Sequence, residues 1–323
     1  MTRRAFIKLL GGAAAAWPLA ARAQQPRGKI PRIGFLLNVQ SELVVALFDG
    51  LKEAGYIEGQ NIIVEKRFAG NMLDRIAEIA KELVALDCDV IFAAGPYAIE
   101  ALMKATATIP IVGIDLESDP IANGWVVSIA RPGRNLTGFF LDLPDLGGKQ
   151  VELLKEALPT LSRLGFLWDS TVGLVQFRAA EAATRTAGVA SVSLPVQRRE
   201  DFKNAFAQAA SERTDAVVLL SSPLIFGQRS QIADLALKAR LPTISLFTLY
   251  PRTGGLMAYG PNFPDMWKRA ATYVDRVLKG DKAGELPIER PSKFELVINL
   301  KTAKALGLDM PWFLQQRADE VIE

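Results

Sequence analysis

Asp89-Val90-Ile91-Phe92-Ala93-Ala94-Gly95-Pro96 and Asp215-Ala216-Val217-Val218-Leu219-Leu220-Ser221-Ser222-Pro223 decide the fold. Each starts at an aspartate, runs through apolar residues and breaks at a small residue followed by proline. Each then gives way to a helical pattern and a second run with proline at its start. That second run is Ile109-Pro110-Ile111-Val112 in one case and Leu241-Pro242-Thr243-Ile244 in the other. A strand apolar at every position is covered on both faces, as in a parallel sheet between helices. Two such units predict two α/β lobes of shared, doubly wound architecture.

The same alternation extends outward from both units. In the first half it predicts strands over 33–37, 62–64, 90–93 and 111–114, and helices over 41–54, 74–85 and 97–106. In the second half it predicts strands over 164–167, 189–196, 216–220 and 243–246. The helices there are 147–158, 175–187, 202–210 and 225–238. After this the order changes. A strand over 256–259 precedes a strong helix over 263–278, then a strand over 294–298 and a helix over 300–306. Such late elements suit a chain that crosses back between lobes and forms a multi-crossover hinge. The expected first lobe is 30–138 plus about 261–288, and the second is 139–260 plus about 289–323.

The N-terminus predicts export. Arg3, Arg4 and Lys8 precede an apolar stretch from Leu9 to Ala21, which closes on the small-x-small pattern Ala21-Arg22-Ala23. This is the layout of a cleaved signal peptide over residues 1–23. Thr2-Arg3-Arg4-Ala5-Phe6-Ile7-Lys8 also fits a twin-arginine signal, so both the general and the twin-arginine routes stay open. The leader has no cysteine at its end, which predicts a product free in the periplasm. The full chain carries 38 Lys and Arg against 35 Asp and Glu, and losing the leader leaves 34 against 35. The nominal basicity is therefore no nucleic-acid footprint.

Histidine is absent and Cys88 is the single cysteine. No Ser-His-Asp or Cys-His nucleophile system can be assembled, nor any histidine-ligated zinc site. No metal or cofactor is expected, and Cys88 is read as a buried, inert thiol. Carboxylate chemistry and binding without chemistry remain.

Asp119-Pro120-Ile121-Ala122-Asn123-Gly124-Trp125-Val126-Val127-Ser128, followed by Arg131-Pro132-Gly133-Arg134-Asn135-Leu136-Thr137-Gly138, resembles the signature of a family of ABC-transporter substrate-binding proteins similar to tryptophan-binding proteins. Glu58-Gly59-Gln60-Asn61-Ile62 and Ala305-Leu306-Gly307-Leu308 match as well. The resemblance spans nearly the whole chain after the leader. It implies a type 1 periplasmic-binding-protein fold with the ligand between two lobes joined by three crossovers. Two departures bear on the ligand. Arg134 replaces a glycine of the family pattern, and Leu116-Glu117-Ser118 is unusual before the Asp-Pro pair. Arg131 to Gly138 is expected to approach the hinge, and Trp168 and Trp267 to be packing residues.

Ligands of open α/β sheets bind beyond the carboxyl ends of the strands. The strand pattern therefore nominates Asn38, Gln40, Ser41, Gly95, Pro96, Tyr97 and Asp115 in the first lobe. In the second it nominates Asp169, Ser170, Ser221, Ser222 and Phe247. Gly95 would let backbone approach the ligand, and Tyr97 would stack or donate its hydroxyl. Asp115 and Asp169 suit an ammonium or hydroxyls, but they also suit helix caps, as do Ser41 and Ser221. Phe247 suits the core equally. No Lys or Arg falls in these loops, which favours a neutral or zwitterionic ligand, an amino acid or aromatic compound.

The leading expectation is a monomeric periplasmic receptor that closes on a small molecule and delivers it to ABC permease subunits in the inner membrane. A periplasmic sensor subunit would use the same lobes. A carboxylate enzyme using Asp115 and Asp169 is the third reading. No nucleic-acid partner is expected.

Overall fold

The computed structural model describes residues 29–323 except Val39, Asn71, Leu141 and Asp142. The export leader expected over residues 1–23 lies outside the described residues. One sheet holds β1 (Arg32–Leu37), β2 (Ile63–Phe68), β3 (Val90–Ala94), β4 (Ile111–Asp115) and β5 (Leu136–Phe140). Their order is β2-β1-β3-β4-β5 and every pairing is parallel. Helices α1 (Val44–Glu53), α2 (Leu73–Ala85) and α3 (Pro96–Ala105) connect the first four strands. The fifth strand corrects the sequence reading. Arg131 to Gly138 is not only an approach to a hinge, because Leu136 starts an edge strand that pairs with β4.

The second sheet holds β6 (Arg163–Asp169), β7 (Ala190–Val196), β8 (Ala216–Leu219), β9 (Thr243–Ser245) and β10 (Met257–Pro261). It is completed by β11 (Phe294–Asn299) and β12 (Glu320–Ile322). Its order is β12-β11-β10-β9-β8-β6-β7, with only β10 and β11 antiparallel. Without the last two strands the order β7-β6-β8-β9-β10 repeats that of the first sheet. The expected kinship of the halves is thus visible as topology, with a switch point between β1 and β3 in one sheet and between β6 and β8 in the other.

The helices of the second half are α4 (Leu143–Ala157), α5 (Leu174–Ala187), α6 (Asp201–Ser211), α7 (Pro223–Gly227) and α8 (Arg229–Lys238). The single helix expected over 225–238 is two, broken at Gln228, and the first begins at Pro223 because Ser222 caps it. Then come α9 (Phe263–Leu278), α10 (Leu300–Leu306) and the short α11 (Trp312–Arg317), which the sequence pattern did not reveal.

The fifth strand of each sheet hands the chain to the other lobe. β5 leads into α4, which packs on α5, whereas β10 leads into α9, which packs on α1, β3, β4 and β5. α9 is strongly specified. The Asn262 side chain accepts from the Asp265 amide at 2.7 Å, and the buried stripe includes Phe263, Met266, Trp267, Ala270, Val274 and Val277. Gly50 lets α1 approach closely, since a Cβ there would lie 2.6 Å from the Lys268 carbonyl oxygen. A third crossing, through residues 286–293, runs beside β5. Glu289 accepts from the Phe140 amide at 3.0 Å and donates to the Gly138 carbonyl at 2.8 Å. One buried apolar cluster extends from β1 and β3 through Phe263 and Phe247 into the second sheet, while two others serve one lobe each.

Candidate ligand-binding cleft

The carboxyl ends of β1, β3 and β4 face those of β8 and β9 across a cleft. The two segments that revealed the fold meet there. Gly95 sits at φ +90°, and a Cβ on it would lie 3.4 Å from Cγ of Pro223. Glycine's freedom at positive φ thus permits the approach of the lobes. Beside this contact lies a cavity with about 590 Å³ of free space, part of it open to solvent. Leu37, Leu43, Ile114 and Leu116 form one apolar wall, and Phe226, Phe247, Phe263 and Trp267 form an aromatic one. The rings are in mutual contact, with centroids 4.9 Å apart for Phe226–Phe247 and 5.6 Å for Phe247–Phe263. Trp267 packs on Phe92 at 5.2 Å, so the aromatic wall is anchored in the first-lobe core.

Five of the nominated residues line this cavity: Asn38, Ser41, Gly95, Ser222 and Phe247. Several of them also have local bonds. Ser41 accepts from the Leu43 amide at 3.2 Å, and Ser222 caps α7 by accepting from the Ile225 amide at 3.0 Å. Phe247 is both core and wall. Gln40 is exposed and Pro96 is buried, and neither lines the cavity.

The others form a polar seam next to it. Tyr97 shares a hydrogen bond with the Thr171 hydroxyl, which joins the two lobes directly. Burial pushes the Tyr97 phenol up to about 12. Asp169 is buried and accepts from the Thr171 amide at 3.0 Å and from its hydroxyl. Ser170 donates its amide to the Val196 carbonyl at 3.0 Å. Asp115 is fully buried and its Oδ1 accepts from the amides of Glu117 and Ser118 at 2.9 and 3.2 Å. Ser221 is clamped by Gln176, which accepts from its amide at 2.9 Å and donates to its carbonyl at 3.0 Å.

Glu117 is the residue that the strand pattern missed. It is 5% exposed, it lines the cavity, and its carboxyl accepts the Ser221 hydroxyl across the cleft. Burial, and then the adjacent Asp115, hold its carboxyl well above the ordinary carboxylate range. Asp115 is raised as well, chiefly by burial. A third link between the lobes lies at the rim, where Arg229 donates to Glu42 at 2.8 Å while its guanidinium stacks 4.6 Å from the Phe226 ring. Trp267, expected only to pack, also gives the cavity part of its wall. Trp168 does pack, stacked on Phe177 and donating to the Ser193 hydroxyl at 2.9 Å.

The arrangement suits a small ligand held between lobes. Asp115 and Asp169, the pair of the enzymatic reading, do not line this cavity. Cys88 is buried, and burial pushes its thiol up to about 11. Among the described residues no cluster of three or more His, Cys, Asp or Glu could hold a metal ion. No helix among them is long and apolar enough to cross a membrane.

Known proteins match this architecture over nearly its full length. The family described as ABC transporter substrate binding protein matches residues 40–322. The chain belongs to that family. A relative named tyrosine-binding protein from Clostridioides difficile (strain R20291) is 23% identical over 262 residues, which is 80% of this chain and 74% of the relative. Among solved structures, a conserved domain protein from Vibrio cholerae is 26% identical with a TM-score of 0.85, covering 91% of this chain and 100% of that one. A domain in complex with L-Trp from Streptococcus pneumonia gives the same TM-score and coverage at 24% identity. The chain is therefore a substrate-binding protein of ABC-transporter type, with the two-lobed fold of type 1 periplasmic binding proteins.

Proposed function

We propose that this chain is the periplasmic solute-capturing component of an ABC-type importer, and that its lobes close by a hinge motion on a small ligand of the amino-acid or aromatic class. The observation that carries this reading is the cavity itself, whose walls come from both lobes and whose polar links join one lobe to the other. The ligand bridges the same two walls, so it favours the closed arrangement over the open one by the contacts that only closure makes. Tyr97–Thr171, Glu117–Ser221 and Arg229–Glu42 flank the cavity and fix the closed geometry. The closed form then presents a joint surface of both lobes to the permease subunits.

The relatives named for tyrosine binding and solved with L-Trp support the aromatic class, and so do Phe226, Phe247, Phe263 and Trp267. The absence of lysine and arginine from the lining, among the described residues, disfavours sugar phosphates and dicarboxylates. A thermal-shift screen of the mature chain against amino acids, aromatic amines, aromatic acids and sugars tests the reading. A true ligand at 100 times its dissociation constant adds about 2.7 kcal/mol and raises the midpoint. The reading predicts a shift confined to compounds with an apolar or aromatic body. A screen in which only sugars or dicarboxylates shift the midpoint contradicts the ligand class. A screen in which nothing shifts contradicts the receptor role.

A further inference from the structure

A second groove spans the lobes on the α3 side of the first sheet, opposite the face covered by α1 and α9. It holds about 1160 Å³ of free space, part of it open to solvent, and Glu117 lines both this groove and the ligand cavity. The carboxylates of the groove are engaged. Asp119 accepts from the Ile121 and Ala122 amides at 2.9 and 3.0 Å, Glu100 accepts from Lys104 at 2.5 Å, and Glu117 takes the Ser221 hydroxyl. Its donors are not. The Arg134 guanidinium lines the groove and makes no hydrogen bond or ion pair among the described residues. The backbone of Arg134 is held against the third crossing, where a Cβ on Gly284 would lie 2.5 Å from the Arg134 carbonyl oxygen. Trp125 is 8% exposed and lines the groove. Its indole N–H has no acceptor among the described residues, yet it is not sealed from solvent. From the second lobe, Thr171, Val172 and Val175 bring the start of α5 to the same space. No side chain caps that helix and no acid lies in its first turn, so its first amides and the positive end of its dipole are left for an anion.

We propose that this groove is a second binding site, separate from the ligand cavity, and that it takes a small monocarboxylate. Arg134 pairs with the carboxylate, which also accepts from the Trp125 indole N–H and from the first amides of α5. Met103, Val172 and Val175 flank its short apolar body. Among the described residues the groove has one unpaired cation, which suits one negative charge. A second negative charge would meet Asp119 instead. The charge comes from one of the two departures of this sequence from the family pattern, which has glycine in place of Arg134. Resting on the receptor reading above, an anion held by both lobes favours the same closed arrangement as the cavity ligand, so the two sites reinforce one another.

Titration of the mature chain with sodium propionate, at an ionic strength held constant with sodium chloride, tests the site. The assigned indole N–H resonance of Trp125 should move saturably as propionate is added. Arg134→Ala, at an exposed position, is expected to weaken propionate binding at least about tenfold. Phe226→Ala, which alters the ligand cavity and not the groove, should bind propionate within a few-fold of the unaltered chain. Inorganic sulfate should bind more weakly than propionate. The inference is overturned by a Trp125 resonance that does not respond, by an Arg134→Ala variant that binds as the unaltered chain does, or by sulfate that binds as tightly as propionate. Loss of propionate binding in Phe226→Ala would put the anion in the ligand cavity and overturns it as well. Saturating propionate alone should also reduce the radius of gyration in X-ray scattering, and an unchanged radius overturns the coupling of the two sites. The receptor reading fails separately, in a thermal-shift screen where nothing moves the midpoint.

Discussion

The two walls of the cleft are unequal. The first lobe supplies Leu37, Leu43, Ile114, Leu116 and Glu117, together with Phe263 and Trp267 of the helix that packs on its sheet. The second lobe supplies chiefly Ser222, Pro223, Phe226 and Phe247. Trp267 is 4% exposed and anchored on Phe92, whereas Phe226 is half-buried on the short helix α7. The first wall is thus an extension of a hydrophobic core. The second joins the same core through Phe247, and only Phe226 stands partly outside it, as a cover.

The largest test of that inequality is Trp267→Ala. It removes core packing as well as wall, so it should cost about 3–5 kcal/mol of stability in denaturant unfolding and abolish binding in the calorimeter. Phe226→Ala should abolish or greatly weaken binding while costing no more than about 1 kcal/mol, because the ring is only half-buried and its neighbours can relax. Equal losses of stability in the two variants would break the distinction.

A smaller effect concerns the acid behind the first wall. Burial raises both Glu117 and Asp115, so the folded chain keeps protons that the unfolded chain releases above the ordinary values of 4.5 and 3.8. The native state therefore binds more protons in that window, and stability falls as pH rises through it toward the raised values. The titratable and charged groups about Glu117 are Asp115 on its own segment, the Tyr97 phenol and, around the neighbouring pocket that Glu117 also lines, Glu100, Asp119, Lys104 and Arg134. Burial and Asp115 outweigh these two cations in setting the direction of the shift. The ligand-free unfolding midpoint should decline from pH 5 upward, and Glu117→Gln should flatten the decline. A midpoint that rises over that range in the unaltered chain would contradict the assignment.

The smallest effect belongs to the rim. Arg229 and Glu42 are partly exposed, so Glu42→Gln should change stability by less than about 1 kcal/mol and weaken closure only slightly. Titration of the variant and the unaltered chain with the ligand found in the thermal-shift screen should give affinities within a few-fold of each other. A loss comparable with that of Phe226→Ala would show that the rim, not the aromatic cover, governs closure.

Much of the architecture is legible in the residues because buried parallel strands are apolar throughout and helices are periodic. Phe263–Leu278 and Leu300–Leu306 carry their own caps and stops, and their limits agree with the pattern. β5 is harder to see because irregular chain, not a helix, connects it to β4. The alternation that reveals the other strands stops there. In the cleft, strand ends point to Gly95, Ser222 and Phe247, which line the cavity. They do not distinguish Asp115, whose carboxyl turns back to cap its own loop, from Glu117 two residues on, which turns into the cavity. The departure of Leu116-Glu117-Ser118 from the family pattern is the one signal that pointed toward it. Tyr97 and Thr171 meet only through tertiary structure, and no local pattern announces such a pair.

Ligand-driven closure is the centre of this account, and small-angle X-ray scattering reads it most directly. The mature chain is measured alone and with the ligand that the thermal-shift screen identifies, at a concentration that saturates its binding. Ligand-driven closure predicts a smaller radius of gyration in the presence of that ligand, as the population moves to the closed arrangement. An unchanged radius under confirmed saturation would contradict it.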